Sequence, residues 1–130
     1  MNEENRKKLN GIIIKARQPE RISLDEALET LKQIIELANG HPLGAVAAFE
    51  VLEKCRNTEP FGTDRDIYTQ WGESLWTLIF KRHVNALKDL QTEVGKWQWV
   101  IGDNRKIIED LIQNGEYETL QEFLDGLTVD

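Results

Sequence analysis

From Trp76 onward an apolar or aromatic residue returns at intervals of four and three. The seam reads Trp76, Phe80, His83, Leu87, Leu90, Val94, Trp97 and Ile101. In a helix this spacing puts every seam residue on one side, as in the a and d positions of a heptad, here for about seven turns. It predicts one long helix over residues 73–101 with a heavy apolar face. Such a face has to be covered by the rest of the chain or by a second copy. No segment shows a sustained strand alternation, so the predicted fold class is all-α. We expect an irregular bundle of about six helices around the long one.

The flanking segments supply the other helices. Leu9, Ile12, Ile13 and Ala16 give a stripe for a first helix over residues 4–17, with Gly11 and the β-branched run Ile12–Ile14 lowering its propensity. Pro19 disfavours helix at Gln18. Ser23 with Glu26 reads as a capping box before Leu24, Leu28, Leu31, Ile35 and Ala38, a face that Ala27 and Ile34 widen. Asn39-Gly40 ends that helix. Pro42 opens the next, whose face is Ala45, Ala48, Phe49, Leu52 and Cys55. Its small residues Gly44, Ala45, Ala47 and Ala48 invite close approach of another helix.

The loop 57–62, Asn-Thr-Glu-Pro-Phe-Gly, is the strongest break and the one candidate sub-boundary in a single domain spanning 1–130. Beyond it Ile67, Trp71, Leu75 and Leu78 form a stripe rotated about 120° from the seam. Either one helix changes its buried face or the chain breaks at Gly72 and restarts at Glu73, which is the preferred reading. Gly102-Asp103-Asn104 closes the long helix, with Asp103 as the expected cap of the next. Ile107, Ile108, Leu111 and Ile112 mark a short helix ending at Asn114-Gly115. Tyr117, Leu120, Phe123 and Leu124 mark a last one, stopped by Gly126.

Charge narrows the function classes. The net charge of −7 is unevenly spread: residues 1–22 carry six bases against three acids, while residues 107–130 carry seven acids and no base. Phosphate-backbone binding needs clustered Lys and Arg, so nucleic acid is a disfavoured partner. The basic N-terminal helix is the one segment that would serve it. No apolar run approaches the roughly 18 residues of a membrane span. The acidic, polar start lacks the form of a secretory signal. A single cysteine, Cys55, gives no internal disulfide and no metal knuckle. These features lead us to expect a cytoplasmic protein.

Two stretches resemble segments of small uncharacterised bacterial and phage proteins. Leu37-Ala38-Asn39-Gly40-His41-Pro42-Leu43-Gly44-Ala45 is similar to their Asn-Gly-x-Pro-Gly-Ala segment, with Leu43 as an insertion before Gly44. Gly72-Glu73-Ser74-Leu75-Trp76-Thr77-Leu78 is similar to their Gly-x-x-x-Trp-x-Leu segment. Together they span 16 of 130 residues. The resemblance implies a helix restart near Gly72 and carries over no activity and no site residue.

The chain carries no cofactor motif. No HExxH, P-loop, GxGxxG or GxSxG occurs, and Asp64-x-Asp66 lacks the rest of a calcium loop. No catalytic or metal-ligating residue is assigned. The enzyme alternative is a ligand pocket at His83 lined by Trp76 and Trp97. His41 reads as a turn residue before a helix. Trp99 stands about 200° round the helix from Trp97, so both rings cannot enter one core. Either Trp99 packs beneath residues 107–124, or it is exposed and is the candidate binding anchor. Glu109, Asp110, Glu116, Glu118 and Glu122 are the candidate acidic contacts, with Glu109 and Asp110 expected on a solvated face. The leading expectation is a non-catalytic interaction or accessory domain. It would meet a protein partner, a basic one for the acidic surface, or form a homodimer through the heptad face.

Overall fold

The helix made of the smallest side chains is the one the others surround. From Pro42 through Ala48 every residue is buried, a run that includes Gly44, Ala45, Ala47 and Ala48. The computed structural model describes residues 1–20, 22, 24–56 and 84–128, with six α-helices and no strand among them. They are α1 (Glu3–Ala16), α2 (Leu24–Ala38), α3 (Pro42–Arg56), α4 (Val84–Asp103), α5 (Arg105–Gln113) and α6 (Tyr117–Asp125). The fold is all-α. The loop 57–62, the stripe 63–78 and the break at Gly72 lie outside the described residues, as do Trp76, Phe80 and His83.

α1, α2 and α3 pack on one another, α4 lies against α2 and α3, and the α5–α6 hairpin reaches back to α3 through α6. One buried cluster takes residues from all six helices, from Leu9 and Ile13 to Leu120 and Leu124. α1 buries the expected Leu9 and Ile13, and Asn2 caps it by accepting the Asn5 N–H at 2.8 Å. The face of α2 centres on Ala27, Leu31, Ile34 and Ala38, while Leu28 and Ile35 are half-buried flanks. The residues that widened the sequence stripe thus lie at its middle. Small Ala27 and Ala38 count little as hydrophobes, yet they let α3 come close. A Cβ built on Gly44 would stand 2.3 Å from the Ala38 Cβ.

Helix ends follow local chemistry. Asn39 (φ 46°) and Gly40 (φ 86°) are both left-handed, which turns the chain sharply from α2 into α3. Gly115 (φ 70°) does the same between α5 and α6. α4 runs through Gly95 without a break, and its seam residues Val94, Trp97 and Ile101 are buried in phase. At its end the expectation for Asp103 is corrected. Asp103 is the last residue of α4, and Asn104 takes the capping position without a side-chain bond to α5. The Asn104 amide turns back instead and donates to the Val100 carbonyl at 2.8 Å. That bond meets one of the last carbonyls a helix leaves unpaired.

Candidate functional site

The cores of α1, α3 and α5 draw three charged residues from distant parts of the chain to one point. Arg17 follows the last turn of α1. Its Nε and Nη2 donate to Glu50 of α3 at 2.9 and 2.7 Å. Its Nη1 and Nη2 donate to Glu109 of α5 at 2.9 and 2.5 Å. Paired, planar bonds to two carboxylates are what a guanidinium suits best. The Glu109 bonds, then those of Glu50, hold Arg17 firmly in its charged form. Arg17 in turn pulls the Glu109 carboxyl below its ordinary range. Tyr117, on the first turn of α6, is near enough to feel both Arg17 and Glu50, and burial raises its phenol. Glu109 stands on the exposed face the sequence reading expected, with half its side chain in solvent. It is also bound to Arg17.

The clamp sits in a groove of about 1210 Å³ between the end of α1, α3 and the α4–α5 junction. Val46, Phe49, Ile101 and Ile108 give it an apolar floor, and Glu53, Lys54, Arg105 and Glu109 give it charge of both signs. The Lys54 ammonium also donates to the Gln18 carbonyl, fixing the turn after α1 to α3. Trp99 lines this groove while remaining 75% exposed. The alternative that Trp99 packs beneath the C-terminal helices is thus corrected. α5 buries Ile108 and Ile112, and Ile108 forms part of the groove floor without covering Trp99. A large aromatic left in water beside an apolar floor is the feature of the described surface best suited to contact.

On the hairpin, Asp110, Glu116, Glu118 and Glu122 are all exposed, and no ion pair joins them among the described residues. Two of the four bases of α1, and Arg17 just after it, make ion pairs. Lys7 pairs with Glu3 at 3.8 Å, Lys8 with Glu4 at 3.4 Å, and Arg17 with its two carboxylates.

Trp97 lies on the inner side of α4. It is 6% exposed, and its indole N–H donates to the Gly40 carbonyl at 3.2 Å. Lys96 reaches over its ring at 5.6 Å. With Val94 and Ile101 also buried, this part of the heptad face is filled by the chain itself and is not open to a second copy. Trp76 and His83, the other members of the candidate pocket, lie outside the described residues. Trp97 instead borders a smaller cavity of about 350 Å³ with Gly40, His41, Leu124 and Asp125.

His41 is the residue that sequence reasoning undervalued. Its Nδ1 accepts the Leu43 N–H at 3.1 Å, so its proton resides on Nε2. Nε2 lies 2.6 Å from Asp125 Oδ1 and donates to it. The ring thus caps α3 and ties it to the last residue of α6. Both ring nitrogens are thus engaged within the chain. Among the described residues no three His, Cys, Asp or Glu side chains stand together as a metal would require. Nor is any helix there long and apolar enough to cross a membrane. No family model, curated protein or solved structure matches this chain.

Proposed function

We propose that the chain is a non-catalytic protein-interaction or accessory domain. It presents Trp99, the adjoining groove and the outer acidic face of α5–α6 to a basic protein partner. The observation that carries this reading is the 75% exposure of Trp99 beside an apolar floor. A tryptophan left in water at such a place gains most from a partner that covers it. Asp110, Glu116, Glu118 and Glu122 add a field of one sign, which speeds encounter with an opposite charge more than it tightens the complex. The acidic composition and single cysteine support a cytoplasmic setting.

The test compares tagged wild type with two variants as baits in lysate of the native host. One is Trp99→Ala. The other neutralises Asp110, Glu116, Glu118 and Glu122 to Asn or Gln and leaves Glu109 in place, because removing that charge would also break the Arg17 clamp. A partner held by wild type, lost with Trp99→Ala and held less well at raised salt by wild type is the expected result. Equal retention by all three baits would move the interface off this surface. No retained partner would overturn the interaction reading.

A further inference from the structure

We draw no further inference here: the strongest candidate, the groove between the end of α1, α3 and the α4–α5 junction with Trp99 at its edge, belongs to the site already described, and nothing in the structure shows what covers it.

Discussion

Gly44 has no room for a methyl group. Its virtual Cβ meets the Ala38 Cβ at 2.3 Å, and Ala38 is anchored on α2 rather than at the end of a flexible chain. Alanine is the better helix former by about 1 kcal/mol. Overpacking of a core costs roughly 1–3 kcal/mol. The clash has only helix separation to relieve it, which puts Gly44→Ala toward the upper end of the net range, a destabilisation of up to about 2 kcal/mol, read as a lower urea midpoint. A raised midpoint would mean that α2 and α3 part freely. The two described tryptophans offer a second contrast at this scale. Trp97→Phe removes the donor to the Gly40 carbonyl and should cost about 1–3 kcal/mol. Trp99→Ala, at an exposed position, should stay within about 0.5 kcal/mol of wild type. If Trp99→Ala proved the more damaging of the two, the assignment of inner and outer faces on α4 would be wrong.

Between elements, the Arg17 clamp joins α1, α3 and α5 across 33 and 92 positions of sequence. Its acid response has a definite sign. Arg17 lowers the Glu109 carboxyl from an ordinary value of 4.5. A depressed carboxyl stabilises the fold fully above its unfolded pKa and loses that contribution as pH falls through the folded value. Charged hydrogen bonds are worth roughly 1.5–3 kcal/mol when sheltered. The Glu109 side chain is 50% exposed, so screening reduces its share. At neutral pH Glu109→Gln should therefore cost about 1 kcal/mol. Arg17→Met should cost about 2 kcal/mol, since it also leaves Glu50 facing Glu109. Unfolding curves between pH 3 and pH 7 should show the Glu109→Gln gap closing below about pH 4.5. A gap that stays constant with pH would show that the carboxylate charge contributes nothing. No periodicity signals such a clamp, nor the His41–Asp125 bond across 84 positions. Local signals behave differently. Asn39-Gly40 and Asn114-Gly115 mark real helix ends because Asn39, Gly40 and Gly115 take the left-handed conformation there. The all-round burial of the first half of α3, Pro42 to Ala48, was hidden because Gly and Ala add little to an apolar stripe.

At the scale of the whole molecule, the seam asks whether its apolar face serves this chain or a second one. Over the described end of the seam the phase read from sequence holds, since Val94, Trp97 and Ile101 are all inward. It could not supply the cover, because a heptad looks the same whether its neighbour is a copy or an α2–α3 pair folded from the same chain. Val94 decides between them. It is fully buried, and an Asp there would place an unpaired carboxylate in the core. The cost should exceed about 4 kcal/mol, against a total stability on the order of 5–15 kcal/mol for a domain. Val94→Asp is thus expected to lose most of its cooperative thermal transition and the near-ultraviolet signal of packed Trp97, at any protein concentration. Were the seam a dimer face instead, the same variant would keep both signals and show half the wild-type mass by light scattering. A well-folded half-mass variant would assign the seam to a second copy, and with it the in-chain packing of α4 on α2 and α3 would fail.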